Sequence, residues 1–232
     1  MPREPLDERS DRRAVLQASA LLAGSAALAG STTEAAAGAT GEGTAGGSGE
    51  DPAAALGALF DAHLRAEFVD RDVDETMATM TERPHVNHVP VMTGGQGREE
   101  VRRFYADHFV GRWPADMRTR LVSRTVGQGR VVDELVASFT HDLEIPAILP
   151  GVPPTGRPVE LPIVIVVGTE GGKVAYEHIY WDQAGLLVQV GLLDPAGLPV
   201  TGAEQARKLL DPSLPGNALL SGGKEGAPPS AR

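Results

Sequence analysis

Apolar residues recur at helical spacing immediately after Asp51-Pro52, a helix N-cap followed by proline at the first helical position. This apolar stripe continues to Val69 and predicts an amphipathic helix that packs on a core. Two further stripes predict a short helix over Val73–Met80 and a longer one over Arg98–Val110. Between them, His85–Val91 alternates apolar and polar residues in the manner of a strand.

The second half of the chain predicts two consecutive hairpins. The first hairpin joins Thr119–Val126 to Arg130–Leu143, and the second joins Val159–Val167 to Lys173–Asp182, each through a glycine-containing loop. The intervening EIPAILPGVPPTGRPVE contains five prolines, which exclude a central strand there. Helices followed by hairpins are typical of an α+β domain, with helices on one face of a curved antiparallel sheet. A curved sheet closed by helices encloses a cone-shaped space, which leaves room for a pocket.

The N-terminal residues predict export. Arg12-Arg13 precede the apolar run Ala14–Gly30, and their context SDRRAVLQ looks like a twin-arginine signal, which would carry the folded protein to the periplasm or beyond. An inactive signal would leave the protein in the cytoplasm, and an uncleaved anchor helix is the alternative. We interpret the chain as an export signal (residues 1–30), a disordered linker (31–50), a folded domain (51–211) and a flexible tail (212–232).

Composition excludes several classes of partner and chemistry. The net charge of −10 argues against nucleic acid and anionic membranes as partners, and we expect no stable membrane association after signal processing. The absence of cysteine excludes disulfides, thiolate metal sites and a cysteine nucleophile. No serine-hydrolase elbow, P-loop or dinucleotide fingerprint occurs, so neither a cofactor nor a metal is predicted.

Two passages, KVAYEHIYWDQAGLLVQVGLL (173–193) and GREEVRRFYADHF (97–109), resemble the SnoaL-like polyketide cyclase group of the NTF2-like superfamily. The resemblance spans about Ala54–Leu193 and implies an NTF2-like cone with helices packed on a curved sheet. The chain departs from the group at His178, where tryptophan is common. Because this superfamily contains enzymes, binding modules and scaffolds, the resemblance implies a fold more specifically than a function.

Strand alternation divides the closing strand into two faces. Tyr176, His178, Tyr180 and Asp182 share one face, and Glu177 and Trp181 lie on the other. The resemblance implies that the face bearing Asp182 looks into the cone, where an aspartate serves as the acid/base. Asp182 with His178 or Tyr180 as a hydrogen-bond donor would suit proton removal beside a carbonyl. The alternative is that Asp182 caps the following turn or has a plain hydrogen-bonding role.

Six other residues are candidate contacts for a substrate. His141 shares strand parity with an apolar series and is expected to point inward, where a core role is the commoner outcome. Asn87 competes with His88 for the inward position of its strand. Convergence of His88, His141 and His178 would create a metal site, although none is predicted. The candidate substrate-binding residues are Asn87, His88, Tyr105, His108, His141 and Trp181.

The leading functional hypothesis is a cofactor-independent isomerase, cyclase or lyase that acts on a small apolar carbonyl compound through Asp182. The alternatives are a non-catalytic secreted module that holds a small apolar molecule, and a dimeric scaffold with a vestigial pocket. The LLVQVGLL run is expected to be either buried or a contact between copies. A homodimer is expected, because many proteins of the fold that the chain resembles pair through the outer face of the sheet.

Overall fold

The computed structural model describes residues 51–221, and the predicted export signal and linker lie outside them. These described residues contain five α-helices: α1 (Pro52–Arg65), α2 (Val73–Ala78), α3 (Arg98–Phe104), α4 (Gln183–Gln189) and α5 (Glu204–Leu210). Single π-helical turns extend α1 through Ala66–Asp70 and α3 through Tyr105–Phe109, and a 3-10 turn spans Ala218–Ser221. None of these described helices is long and apolar enough to cross a lipid bilayer.

Six strands form one curved sheet: β1 (Met80–His88), β2 (Thr93–Gln96), β3 (Arg118–Gly127), β4 (Arg130–Thr140), β5 (Pro158–Glu170) and β6 (Lys173–Trp181). Their spatial order is β2-β1-β6-β5-β4-β3. The expected α+β cone is confirmed, with one correction. The sheet is mixed rather than antiparallel, because β1 pairs with β6 in parallel. The two hairpins and β2 supply the antiparallel pairs.

The N-terminus of α1 forms as the sequence predicts. The Asp51 carboxylate accepts a hydrogen bond from Ala53 N at 3.0 Å, and Pro52 occupies the first turn. The helix continues as a π-turn that stops at Arg71, whose φ of 53° is left-handed. Widening the helix in this way is unusual and recurs at functional sites.

The proline-rich loop between β4 and β5 closes one end of the cone although it contains no regular structure. Ile145, Ile148 and Leu149 are at most 2 % exposed. Two side chains hold the loop: Thr93 Oγ1 donates to Ala147 O at 2.6 Å, and Gln183 Nε2 donates to Ile148 O at 3.3 Å. The loop is therefore part of the core.

The LLVQVGLL run begins as helix α4, which packs on the sheet. Leu186 and Val190 are buried in the core. The Gln189 side chain connects the helix to β5 through two hydrogen bonds: its Oε1 accepts from Glu160 N at 2.8 Å, and its Nε2 donates to Glu160 O at 3.1 Å. Of the two alternatives for this run, burial accounts for Leu186 and Val190, whereas Leu192 is exposed.

Arg124 of β3 forms ion pairs that connect helix α1 to the sheet. Arg124 Nε and Nη2 donate to the two oxygens of Asp133 at 2.7 Å each, and Nη1 donates to Asp61 of α1 at 2.7 Å. Asp133 is 1 % exposed. A bidentate guanidinium is the geometry that best compensates a carboxylate for losing its water.

We predict that Arg124→Met lowers the free energy of unfolding by about 3–5 kcal/mol, because it leaves the Asp133 carboxylate buried without a cation. Denaturant unfolding measures the change. The matched control is Arg102→Met, which removes an exposed arginine paired with exposed Asp74 and should cost less than about 1 kcal/mol. Equal losses in the two variants would show that the Arg124 pair has no special role.

Candidate functional site

A cavity of about 500 Å³ lies between the helices and the concave face of the sheet. Most of its wall is apolar, including Phe68, Phe109, Ile163, Ile165 and Trp181. Five lining residues are titratable and buried: Glu67, His88, Tyr105, Asp133 and Glu177. A second depression, lined by Thr81, Glu82, Arg83, Glu170 and Lys173, is open to solvent and contains no buried titratable group.

The face of β6 that lines the cavity is the opposite of the predicted one. Glu177, Ile179 and Trp181 line the cavity. The register with β5 explains this, since Ile179 pairs with Ile165 and Trp181 pairs with Ile163. The two aliphatic partners belong to the core, so alternation directs His178 and Tyr180 to the outer face. The predicted orientation of this strand is wrong.

The three residues predicted to be catalytic do not line the cavity. His178 is half-buried on the outer face, where its Nε2 lies 3.0 Å from His85 Nε2. Tyr180 is 43 % exposed. Asp182 is exposed at the N-terminus of α4; its side chain makes no capping bond and instead accepts from Gln205 Nε2 at 2.9 Å. Both the inward position and the capping alternative for Asp182 are therefore wrong.

The six predicted substrate contacts divide evenly. His88, Tyr105 and Trp181 line the cavity. Asn87 pairs in register with His178 on the outer face, and His108 is exposed. His141 is fully buried elsewhere, with Nδ1 3.1 Å from Thr155 Oγ1. The contemplated three-histidine metal site does not form, because His178 faces away from His88.

Four buried side chains converge at the cavity wall from four elements: His63 on α1, Glu67 on the following π-turn, Tyr105 on the π-turn after α3, and Glu177 on β6. His63 Nε2 lies 3.1 Å from Glu67 Oε1 and 3.3 Å from Glu177 Oε1. The Tyr105 hydroxyl donates to Glu177 Oε2 at 2.9 Å and lies 3.4 Å from His63 Nε2. Hereafter these four residues are the acid cluster.

Hydrogen bonding identifies His63 as a cation. The Thr79 hydroxyl donates to Thr76 O at 2.6 Å, so it accepts from His63 Nδ1, which lies 2.6 Å away. The other ring nitrogen faces two carboxylates and must also carry a proton. An imidazolium with both nitrogens committed is the form that this geometry fits.

Electrostatics agree with this protonation state. Burial alone would lower the pKa of His63, but Glu177 and then Glu67 raise it to about 10. Burial would raise the pKa of Glu177, but His63 and the Tyr105 hydroxyl lower it overall. Burial raises the pKa of Glu67, and Glu177 adds to this effect. The cluster thus pairs one cation with one firmly ionised carboxylate and leaves Glu67 as the carboxyl that holds a proton most readily.

Several polar atoms on the cavity residues make no hydrogen bond within the protein. Among the described residues, four buried side-chain atoms lack one, and three of them belong to cavity-lining residues: His88 Nδ1, Trp113 Nε1, and Glu67 Oε1, whose contact with His63 is an ion pair. Burial lowers the pKa of His88 to about 4, so its ring is neutral. Unpartnered buried polar groups are costly in an empty cavity and are satisfied when a ligand supplies the missing partner.

Within residues 51–221, His63, Glu67 and Glu177 are also the one histidine–carboxylate group whose ligand atoms lie close enough, within 4.8 Å, to hold a metal ion. A metal ion at Nε2 would have to displace the proton that joins His63 to the two carboxylates. The His63 imidazolium already supplies the positive charge that such an ion would bring. The geometry therefore fits a bound proton at this position.

The prediction missed His63, Glu67 and Glu177. Two signals were available in the sequence. His63 and Glu67 are four residues apart on a helix, which places them on one face. On β6, Glu177 shares its face with Ile179 and Trp181, the more apolar of the two faces, and that face is the one expected to turn inward.

The fold and this cluster define the chain as an α+β cone protein with a buried acid-lined cavity. The model of the SnoaL-like domain matches residues 60–177, half of the chain, and the chain belongs to this family.

One solved structure, with a TM-score of 0.50, agrees with the assignment of the fold, and two others are similar over part of the chain. A candidate SnoaL-like polyketide cyclase from Jannaschia sp. CCS1 is 20 % identical and aligns over 64 % of this chain and 100 % of its own, with a TM-score of 0.50. A candidate hydroxylase, AclR, from Streptomyces galilaeus is 19 % identical over 61 % of this chain and 88 % of its own, at 0.48. TsrD from Streptomyces laurentii is 20 % identical over 62 % and 100 %, at 0.47. No curated protein matches the chain.

We predict that His63→Gln lowers the free energy of unfolding at pH 7 by about 3–5 kcal/mol, because two buried carboxylates lose their cation. The pKa of His63 is raised from 6.5 to about 10 in the folded protein. Its stabilisation is therefore fully present below pH 6.5 and is lost as the pH rises through about 10. The difference between wild type and variant, measured by denaturant unfolding, should shrink at that end of the pH scale.

Exposed His108→Gln is the control and should change stability little at any pH. A difference between His63→Gln and wild type that stays constant from pH 7 to above 10 would contradict a buried imidazolium.

Proposed function

We propose that the protein is a cofactor-independent acid–base catalyst, of the isomerase, cyclase or lyase type, for a small apolar carbonyl compound held in the cavity. One observation carries the proposal: a buried carboxyl, Glu67, lies at the wall of a mostly apolar cavity, and its Oε1 has an ion-pair contact with His63 but no hydrogen bond of normal geometry. Asp182, the acid/base predicted from the sequence, is exposed outside this cavity, so Glu67 takes its place.

Glu67 suits proton transfer better than Glu177 does. Both oxygens of Glu177 are engaged, one with His63 and the other with the Tyr105 hydroxyl. Glu67 Oε1 is also buried and lies 3.1 Å from His63 Nε2, but it makes no hydrogen bond of normal geometry. A carboxyl whose pKa is raised toward the working pH is the more effective general acid or base. Glu177, Tyr105 and His63 then act as positioning residues.

The chemistry requires a base at the carbon and a donor at the oxygen. In the proposed step, the substrate is a carbonyl compound with a C=C bond one carbon away from the carbonyl carbon, and the ionised form of Glu67 removes a proton from the carbon between the two groups. The C–H electron pair forms a new C=C bond, and the carbonyl π pair moves to the oxygen, which gives a dienolate. Glu67 then returns the proton to the far carbon of the original C=C bond, the carbonyl re-forms, and the C=C bond has moved into conjugation with it. Trp113 Nε1, an unpartnered donor, and neutral His88 are the candidate contacts for the oxygen.

The apolar wall selects the ligand. Hydrophobic rings and branched aliphatic side chains cover most of the cavity, and Ile148 of the proline-rich loop closes it. A cavity of about 500 Å³ accommodates a compound of one or a few rings. The exclusion of bulk water by such a wall also strengthens every charge interaction at the acid cluster.

The probe reaction is exchange of the acidic C–H protons of 2-tetralone, an apolar ketone, in D2O, followed by proton NMR. Wild type should accelerate exchange above the buffer rate, and Glu67→Gln should lower the acceleration by about 10²–10⁴-fold. Glu75→Gln, which alters an exposed glutamate on α2, is the matched control and should exchange like wild type. Asp182→Asn should also behave like wild type.

Two results would overturn the proposal: wild-type exchange that does not exceed buffer, or Glu67→Gln that exchanges as fast as wild type. Loss of exchange in Asp182→Asn with retention in Glu67→Gln would restore the original hypothesis.

The second candidate function, a non-catalytic binding module, is favoured by the complete engagement of the Glu177 carboxylate within the acid cluster. It predicts binding of 2-tetralone without exchange. Ile165→Trp, which fills the cavity, should abolish the ketone-dependent rise in melting temperature under either function. Unchanged binding in Ile165→Trp would show that the ketone occupies another site.

A further inference from the structure

A pair of imidazole rings lies on the outer face of the sheet, on the opposite side of β6 from the acid cluster. His85 on β1 and His178 on β6 come from adjacent parallel strands, and their Nε2 atoms are 3.0 Å apart. Both side chains are half-buried, with part of each ring open to solvent. Neither residue lines the cavity, so the proposed function makes no use of them.

The separation of the two nitrogens is that of two ligands of one metal ion. Zinc–imidazole bonds of about 2.0–2.1 Å place two nitrogens about 3.3 Å apart at tetrahedral angles and about 2.9 Å apart at right angles. The observed 3.0 Å lies between these values. With no ion present, one proton bridges the pair, because one ring donates and the other accepts. A metal ion would replace this proton and bond to both nitrogens at once.

The rings are held in position before any ion arrives. The Tyr176 ring stacks on His85 at a centroid distance of 5.2 Å and packs against His178 at 4.8 Å. Arg130 Nε donates to the Tyr176 hydroxyl at 3.1 Å. Gly168, the register partner of Tyr176, leaves the space that the ring occupies, since a Cβ there would lie 2.0 Å from it. A ligand pair fixed by packing loses little entropy when it binds.

We propose that His85 and His178 form a surface binding site for a divalent transition-metal ion of the class that prefers imidazole, with zinc as the probe ion. Imidazole nitrogen suits zinc, copper and nickel rather than magnesium or calcium. The net charge of −10 favours the approach of a cation. Two protein ligands leave the remaining coordination positions to water or small anions.

The test is calorimetric titration of Zn²⁺ into the untagged, chelator-treated full-length chain near neutral pH. Wild type should show a saturable site, and both His85→Ala and His178→Ala should weaken it at least about tenfold. His178→Phe keeps an aromatic ring in the stack but has no nitrogen, so it should lose the site while retaining the metal-free melting temperature.

Two controls separate this site from the others. His108→Ala removes an exposed histidine that has no imidazole neighbour within reach among the described residues, and it should bind zinc like wild type. Glu67→Gln alters the acid cluster and should also retain the site. Absence of saturable binding in wild type, or equal affinity in wild type and His178→Phe, would overturn the proposal. Loss of binding in Glu67→Gln alone would assign the ion to the acid cluster and overturn it as well.

Discussion

The imidazolium of His63 is the interaction on which the interior of this protein depends. Two carboxylates lie at the concave face of the sheet, each no more than 5 % exposed. Without a cation, both could not be ionised in so apolar a setting. The positive charge comes from helix α1, the hydroxyl that orients the ring comes from Thr79, and one carboxylate comes from β6. The contact between the helical layer and the sheet is thus also the contact that determines the charge of the cavity.

This arrangement links stability and chemistry. Glu177 contacts His63, accepts from the Tyr105 hydroxyl and is held ionised, whereas burial raises the pKa of Glu67, whose Oε1 contacts His63 without a hydrogen bond of normal geometry. The two glutamates therefore differ in protonation because their surroundings differ, as is common where a fold separates an acid from a base. The π-turn that contains Glu67 adds a residue to the helical turn and so offsets this side chain from the regular path of α1.

The elements of the fold could be predicted from the sequence because hydrophobic periodicity and turn chemistry are local. The helices after Asp51 and Arg98 and both hairpins formed where the pattern placed them. The parallel pairing of β1 with β6 could not be predicted, since it joins strands that are far apart in the chain. His88, Tyr105 and Trp181 were predicted at the cavity, but Glu177 was missed. For β6, two signals disagree about the inward face. The resemblance to known proteins implies the face that bears Asp182, whereas apolar character indicates the Ile179 face, which is the one that lines the cavity.

The proline-rich loop between β4 and β5 contributes to the cavity wall from outside the strands. Ile148 forms part of the wall; its carbonyl accepts from Gln183 and its amide donates to Ile145 O, and the neighbouring Ala147 carbonyl accepts from Thr93. Exchanges within this segment can lengthen or shorten the space available to a ligand while every strand keeps its register. Relatives that share the acid cluster could therefore diverge in the molecules they accept through a stretch of chain that contains neither helix nor strand.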